Sequence, residues 1–264
     1  MSLASPAPNP DPAEAPILEA RKVSRQFSGF YAVKDVNLSV RRHSVHALIG
    51  PNGAGKTTCF NLLTTFLPLS SGQVIFDGRD ISQSNPAAVA MAGMVRSFQI
   101  SAVFGRMTVL ENVRVALQKK AGGTFAFWRS AQSLRSLDAR AMELLARVGL
   151  ERWHDRPAAE LPYGRKRALE LATTIALEPQ MILLDEPMAG LGHEDIGPVV
   201  ELIREVARGR TVLMVEHNMK VIAELCDRVT VLQSGQVLAE GSYDEVSRDP
   251  RVIEAYVGGV DDDE

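Results

Sequence analysis

The sequence predicts an α/β fold in which short buried strands alternate with helices. Three observations support this class. A strand runs straight into a glycine-rich turn and then a helix, a second apolar strand ends in two carboxylates, and further apolar runs are separated by helix-length segments. The runs at 181–184, 211–215 and 229–232 are of the short, continuous kind that is typical of buried parallel strands.

The first part of the chain favours strands. Between residues 17 and 40, Val36, Leu38 and Val40 alternate with polar residues, which is the period of a half-buried strand. The next elements are predicted as a strand, a helix and a strand, at 45–49, 57–66 and 74–76. This pattern places the glycine-rich turn between the strand at 45–49 and the following helix.

The middle of the chain favours helices. Thr108 followed by Glu111 is a capping box, which opens a helix. A second helix ends at Gly149, and its apolar face consists of Leu134, Leu137, Ala141, Leu144, Leu145 and Val148. We therefore interpret residues 86–165 as a mainly helical insert in the α/β core.

Composition restricts the kind of partner. The 264 residues carry a formal net charge of −3, and 45% of them are hydrophobic, which is enough to bury a core. Acidic and basic side chains are interspersed, so no sustained basic surface suited to a phosphodiester backbone is evident. Nucleic acid is therefore disfavoured as a partner.

The apolar runs are much shorter than the ~20 residues that a transmembrane helix needs, so we expect no membrane span. Residues 1–16 lack a basic start and an apolar signal core and repeat Pro, Ala, Ser and Asn, which predicts a disordered leader. Cys59 and Cys226 have no metal-binding spacing, which fits a reducing cytosol. Each is most simply explained as a small buried side chain.

A phosphate-binding motif follows the strand at 45–49. Residues 50–57 read Gly-Pro-Asn-Gly-Ala-Gly-Lys-Thr, which fits the pattern G-x-x-x-x-G-K-[ST] between a strand and a helix. Backbone amides and the helix N-terminus would face the phosphates. Lys56 would reach the β and γ phosphates, the Thr57 hydroxyl would help to hold Mg²⁺, and Thr58 would lie near the α phosphate. The predicted nucleotide contacts are Asn52, Gly53, Ala54, Gly55, Lys56, Thr57 and Thr58. The alternative is a glycine-rich turn that only joins a strand to a helix.

Two carboxylates end the strand at 181–184. In open α/β sheets ligands bind at the carboxyl ends of the strands, so Asp185 would contact Mg²⁺ directly or through water. Glu186 would face the γ phosphate and act as the general base toward the attacking water. The alternative is a pair of solvated carboxylates at a strand end.

His217 and Gln99 also follow predicted strands. His217 would contact the γ phosphate, and Gln99 would reach the metal and the attacking water. Considered singly, a histidine is more often structural, and Gln99 could be an ordinary polar loop residue. The placement of His217 at a strand end favours the functional interpretation, whereas for Gln99 the ordinary loop residue is favoured unless a family resemblance supports the functional role.

With these motifs in this order, the chain resembles the ATP-binding subunits of ABC transporters, and more closely the branched-chain (hydrophobic) amino acid importer group. The similarity covers about residues 17–258. The stretches that carry it are Met-Val-Arg-Ser-Phe-Gln at 94–99, Met-Thr-Val-Leu-Glu-Asn-Val at 107–113, Asp-Glu-Pro-Met-Ala-Gly-Leu at 185–191, Val-Glu-His-Asn-Met at 215–219 and Val-Ile-Glu-Ala-Tyr-Val-Gly at 252–258.

The resemblance implies the ABC ATPase fold: a P-loop NTPase core with an N-terminal antiparallel β subdomain and a mainly helical insert. The core would comprise residues 17–85 and 166–258, the helical subdomain 86–165, and an acidic tail 259–264. It further implies an aromatic residue that stacks on adenine, for which Phe27 is the first candidate and Tyr31 the second.

The family also has a signature loop, usually Leu-Ser-Gly-Gly-Gln, which faces the nucleotide of a second subunit. Here the corresponding residues after Leu161 are Pro162, Tyr163, Gly164 and Arg165. Pro162 lacks the serine hydroxyl, whereas Tyr163 resembles the amino acid importer variant. Gly192 stands where the general family has an aspartate.

The function implied by the resemblance is ATP hydrolysis with ATP and Mg²⁺ as cofactors, coupled to uptake of branched-chain or other hydrophobic amino acids or related small solutes. The implied partners are membrane permease subunits, a second ATPase subunit that is identical or different, and indirectly a substrate-binding protein. The chain would be cytoplasmic and peripheral on the inner face of the cell membrane. Two alternatives are an ATPase of a lipopolysaccharide-export-type system and a non-transport ABC ATPase.

Overall fold

The computed structural model describes residues 15–97, 103–120 and 137–257. The strands are β1 Leu18–Phe27, β2 Phe30–Val40, β3 Val45–Ile49, β4 Ser71–Phe76, β5 Arg79–Asp80, β6 Met94–Ser97, β7 Met181–Asp185, β8 Thr211–Val215, β9 Arg228–Gln233 and β10 Gln236–Gly241. The helices are α1 Lys56–Leu63, α2 Pro86–Met91, α3 Val109–Lys120, α4 Asp138–Arg147, α5 Tyr163–Ala176, α6 His193–Ala207, α7 Met219–Leu225, α8 Tyr243–Val246 and α9 Pro250–Val257.

Two sheets organise the molecule. A six-stranded sheet has the order β10-β9-β3-β8-β7-β6, and its strands from β9 to β6 run parallel, whereas β10 is antiparallel to β9. A four-stranded antiparallel sheet has the order β2-β1-β4-β5. The predicted α/β class and the N-terminal antiparallel β subdomain are both confirmed.

The central strands are buried on both faces. Every residue of β3, β7 and β8 is buried, and alternate side chains belong to two different apolar clusters. Ile182 and Leu184 face the cluster that includes α3 to α6, whereas Met181 and Leu183 face the cluster that includes α1 and the four-stranded sheet. This two-sided burial explains why these strands read as continuous apolar runs rather than alternating ones.

One strand of the core sheet, β6, lies within the predicted helical insert. β6 pairs in parallel with β7, with Met94 opposite Met181 and Ser97 opposite Leu184, so residues 94–97 belong to the core sheet. At the other end of the insert, α5 runs without a break through residue 165 and packs against α3 and α4. The bounds 86–165 of the helical insert stay a prediction, and within them residues 94–97 belong to the core sheet.

Local signals for helix ends were partly correct. The capping box before α3 is confirmed, since Thr108 N donates to Glu111 Oε2 (2.7 Å) and Glu111 N donates to Thr108 Oγ1 (3.2 Å). Gly149 follows α4 with a φ of 68°, as a helix-terminating glycine should. The predicted end of α1 at residue 66 is wrong, because Thr65 adopts a left-handed φ of 58° and the helix ends at Leu63. Leu134 lies outside the described residues.

Both cysteine thiols have a raised pKa. Burial raises the pKa of the Cys59 thiol on α1 to about 12. Burial does the same for Cys226, which is half-buried, again to about 12. Both thiols are therefore protonated near neutral pH. Within the ranges that the structure describes, the helices are too short or too polar to cross a bilayer.

His46 is a buried titratable side chain on β3. Its Nε2 lies 2.8 Å from Thr230 Oγ1, and its Nδ1 has no hydrogen-bond partner among the described residues. Burial lowers the pKa of His46 from 6.5 to about 4, against the opposing charge of Glu240. Because the folded-state pKa lies below the unfolded one, this group contributes its full stability above pH 6.5 and loses it as the pH falls toward 4.

We expect the free energy of unfolding to fall by about 3 kcal/mol from this group alone between pH 6.5 and 4. In the His46→Gln variant, the free energy of unfolding measured with urea at a series of pH values should not show this decrease. The exposed His193→Gln variant is the control and should follow the wild type. An unaltered pH dependence in His46→Gln would show that the buried ring is not responsible.

Candidate functional site

The carboxyl ends of four neighbouring strands meet at one edge of the six-stranded sheet. The register aligns Leu48 of β3 and Asp185 of β7 with Val215 of β8, and Leu184 with Ser97 of β6. The segments that follow these strands therefore leave the sheet side by side. They carry the glycine-rich loop, Glu186, His217 and the start of the segment that leads to Gln99.

The loop at 50–55 is held against the rest of the core. Ala54 O accepts from Gly235 N in the β9–β10 turn (3.0 Å), and Gly55 has a φ of 94°. A Cβ at Gly55 would lie 2.5 Å from Ala32 O, so both the conformation and the space require glycine there. Asn52 and Gly53 are exposed whereas Ala54 is buried. The loop thus presents its tip to solvent on a fixed base.

Lys56 begins α1 and folds back over this loop. Its Nζ donates to Gly50 O (2.7 Å) and Pro51 O (2.9 Å). Burial lowers the pKa of Lys56, and the nearby charge of Glu186 opposes that shift. The structure thus brings together Lys56 and Glu186, which lie far apart in the sequence. Thr57 is exposed and Thr58 is half-buried in the same first turn of α1.

Asp185 ends β7 with a side chain that is only 5% exposed. Its Oδ2 accepts from Arg96 Nη2 of β6 at 2.5 Å. Arg96 is not among the predicted site residues, although an arginine that follows two apolar residues and lies three residues before Gln99 was a usable signal. The Asp185 carboxylate therefore lies at the edge of the site, where it forms an ion pair with the Arg96 guanidinium.

Glu186 has an unusual backbone. Its φ is 47°, a left-handed conformation that non-glycine residues adopt rarely and that is often found at functional sites. Glu186 N donates to Val215 O (2.9 Å), and Ala189 N donates back to Glu186 O (3.0 Å). These bonds turn the chain sharply after β7 and leave the Glu186 side chain half-buried at the edge of the sheet.

Glu216 is a second residue that the sequence analysis missed. Its fully buried carboxylate accepts from Met188 N at Oε1 (3.1 Å) and from His217 N (2.6 Å) and Asn218 N (3.0 Å) at Oε2. It therefore joins the loop after β7 to the loop after β8. The His217 side chain projects from the second loop and is 69% exposed. An acidic residue directly after an apolar strand was the available signal.

We expect Glu216→Gln to lower kcat about 10- to 100-fold while the Kd for ATP changes little. The amide has the same shape, but its NH₂ group would face backbone N–H donors, at a cost of about 1–3 kcal/mol. The loops that carry Glu186 and His217 would shift, whereas the phosphate loop would not. Steady-state phosphate release and calorimetric ATP binding separate the two effects, and the exposed Glu151→Gln is the matched control. An unchanged kcat would refute this positioning role.

The predicted signature loop begins α5. Pro162 precedes the helix and is exposed, and Arg165 lies over the Trp153 ring at 4.7 Å. A Cβ at Gly164 would stand 3.0 Å from the Asp195 carboxylate, so a larger residue would be crowded. Tyr163 OH donates to Ala189 O (3.0 Å) and accepts from Arg167 Nη2 (3.1 Å). This loop is thus bonded to the segment that follows Glu186 in the same chain.

The aromatic candidates lie on the β1–β2 hairpin. Phe27 is 42% exposed, and the Arg25 guanidinium lies 4.6 Å from its ring centroid. Tyr31 is exposed to a similar degree, and Phe30, which the sequence analysis did not consider, is more exposed than either. The close approach of Ala32 to Gly55 places this hairpin beside the glycine-rich loop. Gln99 lies outside the described residues.

A glycine-rich loop between a strand and a helix, a lysine at the start of that helix and acidic residues at the next-but-one strand end define a phosphate-loop nucleotide-binding site. Comparisons with known proteins agree with this class. A family model described as ABC transporter matches residues 33–189, and one described as branched-chain amino acid ATP-binding cassette transporter matches residues 236–262.

Among similar proteins, the high-affinity branched-chain amino acid transport ATP-binding protein LivG of Salmonella typhimurium is 38% identical over 252 residues, covering 92% of this chain and 98% of LivG. BraF of Pseudomonas aeruginosa, with the same description, is 37% identical with the same coverage. The crystal structure of the ADP conformation of MJ1267, an ATP-binding cassette of an ABC transporter, superposes with a TM-score of 0.79 at 30% identity, covering 92% of this chain and 99% of that one. The chain belongs to the ABC transporter family, as one of its ATP-binding, ATP-hydrolysing subunits.

Proposed function

We propose that this chain binds Mg-ATP at its phosphate loop and hydrolyses it to power uptake of branched-chain or related hydrophobic amino acids. The observation that carries the proposal is the meeting of Lys56, Asp185, Glu186 and His217 at one edge of the sheet. The cargo class is supported by the match of residues 236–262 and by the printed names of LivG and BraF.

Each residue at this edge has a role in the proposal. The loop amides and Lys56 bind the phosphates, and His217 contacts the γ phosphate. The Thr57 hydroxyl and the Asp185 carboxylate are hard oxygen donors that suit Mg²⁺, and Gln99 would be a third ligand. When bound, the metal would neutralise charge on the β and γ phosphates. Glu186 takes the proton from the attacking water, and Phe27 stacks on adenine.

A second ATPase subunit completes the proposed site. Pro162 and Tyr163 are exposed at the N-terminus of α5, so this surface is accessible to the nucleotide of a facing subunit. Pro162 offers no hydroxyl, and the anion would therefore depend on backbone amides at the start of the helix. The second subunit is either another copy of this chain or a different ATPase of the same family.

Membrane permease subunits are the other proposed partners, which would place the chain on the inner face of the membrane. A groove of about 320 Å³ lies between α3, α5 and β6, and its apolar lining includes Phe104, Val115, Ala116 and Leu177. Phe104 is exposed there. This groove is suited to a short apolar helix of the permease. A substrate-binding protein would act indirectly, through the permease.

Calorimetry with Mg-ATP tests nucleotide binding directly. We expect saturable uptake, and at a concentration of 100 times Kd a stabilisation of about 2.7 kcal/mol, which corresponds to a rise in Tm of about 5–10 °C. AMP, which lacks the β and γ phosphates, is the control and should bind much more weakly. Absence of Mg-ATP uptake by the folded chain would overturn the proposal.

The cargo requires a separate test. The chain should be co-purified with its permease subunits and the associated binding protein and reconstituted in vesicles. We expect ATPase activity to rise when the binding protein carries leucine, isoleucine or valine, and not when it is empty. Stimulation by an unrelated solute alone would retain the ATPase assignment but refute the proposed cargo.

A further inference from the structure

Arg96 lies within the site but has no role in the scheme above. Its side chain is 11% exposed, and its two terminal nitrogens bind different residues: Nη2 donates to Asp185 Oδ2 and Nη1 donates to Asn61 Oδ1, each at 2.5 Å. The guanidinium carbon lies 5.1 Å from the Phe60 ring centroid and 5.7 Å from that of Phe66. Contacts that hold the planar group thus include two hydrogen bonds and two aromatic rings among the described residues.

These contacts join three elements of the site. Arg96 belongs to β6, Asn61 to the helix α1 that begins with Lys56, and Asp185 ends β7. Arginine suits this place because its rigid fork can donate in two directions while its face stacks on a ring. Arg96 thus fixes Asp185 relative to the phosphate-loop helix.

The pair has an electrostatic consequence. The Asp185 side chain is 5% exposed, and a carboxylate so deeply buried must be compensated by a nearby positive charge. Arg96 supplies that charge. A divalent cation bound to the same carboxylate would lie within a few ångströms of the guanidinium and would be repelled by it.

We propose that Arg96 is a positioning residue that holds the Asp185 carboxylate in place and sets how tightly the site takes Mg²⁺, weakening the metal by charge repulsion. The inference rests on the proposed role of Asp185 as a metal ligand. It predicts that removal of the guanidinium has two opposite effects. The metal-free protein becomes less stable, and the nucleotide-bound protein binds Mg²⁺ more tightly.

The measurement is the Kd of ADP by calorimetry, once with Mg²⁺ and once with EDTA. The ratio is the Kd of ADP in EDTA divided by the Kd of ADP with Mg²⁺. A larger ratio means that the nucleotide-bound protein binds the metal more tightly, and the measurement does not depend on turnover. Arg96→Met should raise this ratio about tenfold, the size of a screened interaction between nearby charges. Its Tm in EDTA should fall below that of the wild type, because Asp185 has lost its partner.

Arg96→Lys is the matched control. It retains the positive charge but loses the fork and the stacking, so its ratio should stay close to the wild-type value while its Tm in EDTA falls. Should Arg96→Met fail to fold without metal, Arg96→Gln replaces it, since the amide can still bind Asn61. A purely structural residue would lower Tm in all these variants and leave the ratio unchanged, which would refute the proposal.

Asp185→Asn separates the two hypotheses. If Asp185 is a metal ligand, this variant lowers the ratio, and adding Arg96→Met to it gives no gain. If Asp185→Asn leaves the ratio unchanged, the metal assignment within the proposed function is wrong. If Asp185→Asn lowers the ratio but Arg96→Met does not raise it, only the inference about Arg96 is wrong.

Discussion

Replacing Glu186 with glutamine should lower ATP hydrolysis by about 10²- to 10⁴-fold while nucleotide binding is retained. The amide has the same shape as the carboxylate but cannot accept a proton from water. The left-handed backbone at this position, with its bond to Val215 O, is available to either residue. The phosphate loop is unaltered, so Mg-ATP should bind with a Kd close to that of the wild type.

Phosphate release under saturating Mg-ATP measures the loss, and calorimetry measures the retained binding. Because hydrolysis would no longer reopen the proposed subunit pair, size-exclusion chromatography with ATP should show more dimer for this variant than for the wild type. The exposed Glu151→Gln is again the control and should behave as wild type in all three assays. Near-wild-type hydrolysis by Glu186→Gln would remove Glu186 from the role of general base.

Lys56→Ala should weaken ATP binding itself, by about 10- to 100-fold in Kd. The lost contact is a charge-assisted hydrogen bond to phosphate, which contributes about 1.5–3 kcal/mol. In the structure Lys56 Nζ donates to the carbonyls of Gly50 and Pro51, which holds the ammonium group over the loop, and its third N–H can be donated to a phosphate.

Calorimetric titration of Lys56→Ala with Mg-ATP measures this effect. Lys22→Gln, which removes the same charge from an exposed position on β1, is the control and should leave Kd unchanged. An equal loss in both variants would point to the overall charge of the protein rather than to a phosphate contact. A wild-type Kd for Lys56→Ala would place the nucleotide elsewhere.

The features that could be predicted best from the sequence are those formed by residues adjacent in the chain. The loop at 50–57 and the capping box of Thr108 and Glu111 are patterns of adjacent residues, each with one physical purpose. The carboxyl end of β7 could be located because a fully apolar run stops at Asp185. All three features lie where the sequence placed them.

What the sequence missed depends on pairing between distant segments. A strand before Gln99 was predicted, but four residues carry too little periodicity to show that residues 94–97 pair with β7 in the core sheet. The partners of Arg96 and Glu216 were equally hidden, because a buried polar side chain does not indicate which distant group will satisfy it. The end of α1 was missed because a left-handed Thr65 has no sequence signal of its own.

The hydroxyl of Tyr163 bonds to Ala189 O, three residues after Glu186. Within one chain, the surface that we propose faces a neighbour's nucleotide is thereby bonded to the segment that carries the proposed general base. In the proposed pair, the bond between Tyr163 and Ala189 would thus connect the two nucleotide sites through each subunit. We therefore expect hydrolysis in one subunit of the proposed pair to depend on whether the other subunit holds ATP.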